Sequence, residues 1–256
     1  MVYAAVDGHV HLEKADPALL DAAADNLRLS STHDPALGVL MMTEMSGLSL
    51  FDSLKRQATG CGEEDISFWH RRAGQLPLLV VAGRQIATAE RLEVLALGTR
   101  AMLTDGEPLA TVLGWCKRQG AFPVLPWGVG KWLGHRGAVV ARALATCNPR
   151  NFALGDNGGR PAFWGVPAFR FAREKGVKIV PGSDPLPLTG QAGRIGRFGF
   201  DVAVNVDERA PARALLNALR EPATAIEPFG APRPLHRFLA EQAAIRLPRP
   251  IAHALS

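Results

Sequence analysis

The chain has 256 residues, of which 47% are hydrophobic and 21% charged, a balance that excludes an intrinsically disordered protein and supplies one sizeable core. No run reaches the roughly 18–20 apolar residues a membrane-spanning helix needs, and the start of the chain lacks a basic segment leading into an apolar run, so a soluble, cytoplasmic protein is expected. A formal charge of +5 favours anionic ligands, but Lys and Arg are dispersed and no basic tract is interleaved with aromatics, so nucleic acid and membrane are not expected partners.

In chain order, short Val-, Leu- and Ile-rich runs alternate with helical segments. Strands are expected at Tyr3 to Asp7, Gly38 to Thr43, Leu78 to Ala82, Leu92 to Leu97, Phe122 to Pro126, Phe152 to Gly155 and Lys178 to Gly182, with an eighth candidate from Phe200 to Val206. Helices are expected at Pro17 to Leu27, Leu48 to Gln57, Pro108 to Gln119, Ala138 to Thr146 and Ala162 to Lys175, the last stopped by Gly176. Pro211 to Leu219 and Leu235 to Leu247 read as late helices that could close the barrel or cover its outside. This rhythm predicts an α/β protein of one domain over residues 1–256, a parallel β/α barrel of seven or eight strands, TIM-like or a distorted version of it, with its ligand groups at the carboxyl ends of the strands.

Chemistry concentrates where strands end. In Ala4-Ala5-Val6-Asp7-Gly8-His9-Val10-His11 an apolar strand runs into two histidines one residue apart. Residues i and i+2 of extended backbone share a side, so both imidazoles can reach one cation; capping the strand end is the alternative role. The best distant partner is Asp184 in Val180-Pro181-Gly182-Ser183-Asp184, where Gly182 permits a close backbone approach. Asp184 is expected as ligand or general base, with a helix cap as its plain alternative. Glu44 and Asp156 also end candidate strands and are further possible ligands. The three cysteines, Cys61, Cys116 and Cys147, are far apart, form no Cys-x-x-Cys pair and have no placed histidine partner, so neither a disulfide framework, a cysteine zinc site nor a cysteine nucleophile is expected.

For substrate, Gly128-Val129-Gly130-Lys131 follows a strand and could face an anion with Lys131, while its Gly-x-Gly-x-x-x-Gly spacing imitates a dinucleotide fingerprint only loosely. Arg194 and Arg197, in the glycine-rich stretch 190–199, could clamp a phosphate or carboxylate; a solvated loop is the alternative. Asp156-Asn157-Gly158-Gly159-Arg160 reads as a structural polar turn. His33, His70, His236 and His253 have no spacing that implicates them.

Asp7-Gly8-His9-Val10-His11 together with Gly182-Ser183-Asp184 resembles the amidohydrolase superfamily and, within it, the polymerase-and-histidinol-phosphatase (PHP) family, which place a His-x-His pair after the first strand and an Asp after a late one. The stretches 81–88 and 91–98 are similar in layout to the PHP central strands. Several PHP positions differ: Thr43-Glu44-Met45 stands for Thr-Asp-His, Gln85 for a bridging Glu, Pro126-Trp127 for His-Pro, and Pro185-Leu186 ends the final Gly-Ser-Asp-x-His. The resemblance implies a hydrolase that uses water activated by one or two divalent ions, zinc or manganese, on a phosphate ester or amide-like compound. The missing ligands suggest the rival, a degenerate non-catalytic barrel that binds an anionic metabolite or protein partner.

Overall fold

The computed structural model describes residues 1–246 except Thr59, Pro187 and Thr189. Leu247 and His253, which figure in the expectations above, lie outside the described residues. In chain order the described elements are β1 (Val2–Val10), α1 (Pro17–Ser30), β2 (Leu37–Met42), α2 (Leu50–Lys55), β3 (Ser67–His70), β4 (Leu78–Val81), β5 (Gly83–Ala87), β6 (Glu93–Leu97), α3 (Leu109–Gln119), β7 (Phe122–Pro126), α4 (Gly134–Thr146), β8 (Ala153–Asn157), α5 (Pro167–Glu174), β9 (Lys178–Gly182), β10 (Gly199–Val204), α6 (Pro211–Arg220), β11 (Glu227–Phe229) and α7 (Leu235–Arg246). None of the described helices is long and apolar enough to cross a membrane.

The strands form two mixed sheets, ordered β11-β10-β1-β2-β4-β3 and β5-β6-β7-β8-β9. Side chains alternate along β1: Ala4 and Val6 face an interior core shared by both sheets with Val39, Val124 and Phe200, whereas Ala5 faces Leu20 and Leu27 of α1. Helices α3, α4 and α5 cover the second sheet through Val112, Leu144 and Phe169. Both faces of the central strands are therefore buried, which is why they read as continuous apolar runs instead of alternating ones. Helix α6 closes one end of the interior core with Ala212, Leu215, Leu216 and Leu219.

The expected parallel barrel is corrected here: the fold is α/β, but the two sheets are mixed and do not close. Parallel pairing holds for β1/β2, β2/β4, β7/β8 and β8/β9. The pairs β1/β10, β10/β11, β3/β4, β5/β6 and β6/β7 are antiparallel. For the β5/β6 pair the reason is connection length. Only residues 88–92 link β5 to β6, and a parallel crossover needs about a dozen or more. Thr88 accordingly makes a tight turn, its N–H donating to the Leu92 carbonyl at 2.8 Å. Strands β3 and β11 were not among the expected strands, and β5 was anticipated only through the resemblance of the stretch 81–88 to a PHP central strand.

The sheets meet at isolated hydrogen bonds. At one junction the Asp184 N–H donates to the His9 carbonyl at 2.9 Å, joining the segment after β9 to β1. At the other, Glu44 after β2 forms an isolated parallel bridge with Arg84 of β5.

Candidate metal centre

Two glycines determine how closely β1 and β9 pass. A Cβ on Gly182 would lie 2.3 Å from the His9 backbone nitrogen, and one on Gly8 would lie 2.6 Å from the Pro181 carbonyl oxygen. Neither contact is possible for a larger residue without moving backbone, so the pair lets the end of β9 lie against the end of β1. The β1/β2 register shifts between Asp7 and Val10, just where the histidines begin. Asp184 adopts φ 43°, a left-handed conformation that Asp tolerates better than most residues, and this turns its carboxylate back toward β1.

The three groups singled out from the sequence come together. His9 Nε2 and His11 Nε2 are 3.0 Å apart, and Asp184 Oδ1 lies 3.7 Å from the first and 3.9 Å from the second. A point equidistant from three atoms so spaced sits about 2.1 Å from each, the usual length of a zinc–nitrogen or zinc–carboxylate bond. The donor set, two imidazoles and a carboxylate, suits a divalent cation, so these residues fit a metal. Burial, and next the neighbouring His9 charge, push the His11 pKa down to about 4. His11 is therefore neutral near pH 7, the form that offers a lone pair to a cation.

The surrounding groups orient the ligands. Asn157 Nδ2 donates to Asp184 Oδ2, leaving Oδ1 toward the histidines. Asp7, fully buried, accepts from the backbone N–H of Ser183 at 2.8 Å, of Gly196 at 2.9 Å and of His9 at 3.2 Å. One carboxylate thus ties β1 to the two segments that follow β9. Burial raises its pKa to about 6, with those hydrogen bonds opposing the rise.

The remaining residues of the expected site hold other partners. Glu44 is buried, but its Oε2 pairs with Arg84 Nη1 at 3.0 Å and its Oε1 accepts from the Phe51 N–H at 2.8 Å, at the start of α2. Asp156 gives both oxygens to Arg160, each at 2.7 Å. Neither joins the His9, His11 and Asp184 group. Arg194 donates to the Gly158 carbonyl at 3.1 Å and Arg197 to Asn26 Oδ1 at 3.0 Å, so both hold segments of the chain together. Lys131 lines the cavity beside the metal centre, where it donates to Glu93.

That cavity, about 380 Å³, is bordered by His11, Gln85, Glu93, Lys131 and Asp184, with an apolar wall that includes Met45 and Leu48. Asn157 and Glu93 were missed from the sequence, and Gln85 was singled out only as standing for a bridging Glu of the PHP pattern. Asn157 was read as part of a structural turn, although it ends β8 beside the expected Asp156; Gln85 and Glu93 sit on an antiparallel hairpin whose facing could not be assigned without the fold.

Fold and site together define an α/β protein with mixed sheets and a two-histidine, one-carboxylate cluster at the carboxyl ends of β1 and β9. The sequence matches no family model and no curated protein. Among solved structures, PsfC from Pseudomonas syringae PB-5123 is similar over 96% of this chain and 98% of its own, with 14% identity and a TM-score of 0.59, which shows a shared fold. A two-domain protein from Bacteroides vulgatus ATCC 8482, containing a predicted PHP-like metal-dependent phosphoesterase, aligns with 88% of this chain at 16% identity and a TM-score of 0.44. This chain spans 64% of that protein's length. None of these comparisons extends the resemblance to the amidohydrolase superfamily.

Proposed function

We propose that the protein is a metal-dependent hydrolase of a small anionic substrate, a phosphate ester or amide-like compound, with His9, His11 and Asp184 holding the cation. The observation that carries this reading is the spacing of the three ligand atoms, which leaves room for one ion and little else. Zinc and manganese both suit such ligands; when bound, either acidifies a coordinated water and stabilises charge developing on a substrate oxygen. Neutral His11 keeps its lone pair available without a proton having to leave near pH 7. Asp184, oriented through Asn157, is placed to accept a proton from water at the mouth of the cavity. Lys131 supplies positive charge on the cavity wall, partly offset by Glu93, and so favours an anion that is not too highly charged.

The test is metal analysis of purified protein loaded with zinc or manganese, with His9→Ala and His11→Ala alongside, followed by a panel of phosphate esters and amides. Stoichiometric metal in the wild type, its loss in both variants and metal-dependent turnover are expected. Folded wild type that takes up neither ion would overturn the hydrolase and leave a non-catalytic fold that binds an anionic metabolite or a partner.

A further inference from the structure

A second cavity, of about 770 Å³, lies away from the metal centre. It is bordered by residues at the start of β7, just past the end of β6, and on one side of α6, whereas the metal centre lies where β8 and β9 end. Because β7, β8 and β9 are parallel, the two lie at opposite ends of these strands.

Its wall is one-signed. Helix α6 contributes Arg213, Asn217 and Arg220, at spacings of four and three residues that set them on one face, while Ala212, Leu215 and Leu219 are buried in the core. Across the cavity, α3 contributes Lys117 and Arg118. The single carboxylate in the wall, Asp65, lies 3.5 Å from Arg100. Four cations therefore border the space, and among the described residues only Arg213 has a carboxylate partner, Glu64.

Helix electrostatics account for part of this pattern. Lys117, Arg118 and Arg220 lie in last turns, where positive charge is favourable, but Arg213 lies in the first turn of α6, where it is not. Arg213 Nε is 3.9 Å from Glu64, and that carboxylate already accepts the Ala212 and Arg213 N–H groups at 2.7 and 3.2 Å. Arg220 is half-buried without a carboxylate partner among the described residues. Its guanidinium is aimed by bonds to the Gly120 carbonyl at 2.8 Å and Asn217 Oδ1 at 3.4 Å, which use two of its five N–H donors. Lys117 and Arg118 are exposed, and their side chains make no hydrogen bond or ion pair among the described residues.

We propose that the cavity between α3 and α6 binds a small polyanion carrying two or more linked phosphate groups, at a site separate from the metal centre. Cations from two helices that line one cavity are neutralised together most readily by one ligand that carries several linked charges. No aromatic side chain borders the cavity to stack a base, which favours a ligand without one.

The probe is sodium tripolyphosphate, titrated calorimetrically into the full-length protein with chelator present. Saturable binding at one site is expected for the wild type and unchanged for His9→Ala/His11→Ala and for Lys131→Gln. Lys117→Gln/Arg118→Gln, which breaks no contact of the fold, should weaken it by about tenfold or more, as two charge-assisted contacts are lost. Arg220→Gln gives a second, independent reading in the same direction. Absence of saturable binding, binding lost in Lys131→Gln, or binding indifferent to both the α3 and α6 variants would each overturn the proposal.

Discussion

The two junctions between the sheets use similar parts to different ends. At each, a glycine lets backbones approach: Gly182 against His9, and Gly83, whose Cβ would lie 2.5 Å from the Met42 carbonyl oxygen. At each, a strand runs into a carboxylate, Asp184 in one and Glu44 in the other. Both oxygens of Glu44 are taken, by the Arg84 guanidinium and the Phe51 N–H. Asp184 commits one oxygen to Asn157 and turns the other to two imidazoles. What separates a structural carboxylate from one that could hold a metal is therefore not burial or position at a strand end but an uncommitted oxygen.

That contrast can be broken most directly at Asp184. Asp184→Asn should lower zinc affinity by at least about 100-fold, more than loss of an orienting neighbour does, while the fold persists. Chelator competition measures it, and wild-type affinity in this variant would remove Asp184 from the ligand set. Glu44→Ala should do the reverse. It leaves Arg84, whose side chain is 11% exposed, without its charge partner, and should cost about 3–5 kcal/mol in urea unfolding while metal content stays at the wild-type level. Metal loss without destabilisation would make the two junctions alike after all.

Asn157→Ala sharpens the comparison from outside the ligand set. Freeing Asp184 Oδ2 should weaken metal affinity by about 10–100-fold, read by the same chelator competition, with little change in folding. Unchanged affinity would show that the backbone at φ 43° alone orients Asp184.

The smallest effect is in pH dependence of the metal-stripped protein. His11 titrates near 4 in the fold against an ordinary 6.5, so the unfolded chain binds more protons in that window and this group removes stability as pH falls. Asp7 titrates near 6 against 3.8, so the folded chain binds more protons and this group adds stability as pH falls. The two nearly offset each other. In His11→Ala the Asp7 contribution is left unopposed, so the melting temperature should decline less, or rise, on acidification from pH 6.5 to 4 relative to wild type. An identical profile in both proteins would contradict the assignment.

Legibility followed range along the chain. Apolar runs such as Phe122–Pro126 and Lys178–Gly182 were marked by composition, and those strands appear with the bounds expected. The His-x-His spacing and the Gly before Asp184 carry local geometry, so the core of the site could be named in advance. Glu44 and Asp156 could not be told from ligands, because what claims them, Arg84 forty residues on and Arg160 across a turn, depends on side-chain direction in the finished fold.

From sequence alone came the α/β rhythm, the paired imidazoles and the distant carboxylate, since each rests on strand periodicity and residue chemistry within a few neighbours. Tertiary structure decided that the sheets are mixed and open, because β1 pairs with β10 and β6 with β7 through contacts between segments distant in sequence. It also decided that Asp184 keeps an oxygen free while Glu44 does not, and that cations of α3 and α6 line one cavity, since such neighbours are set by packing between segments far apart in sequence.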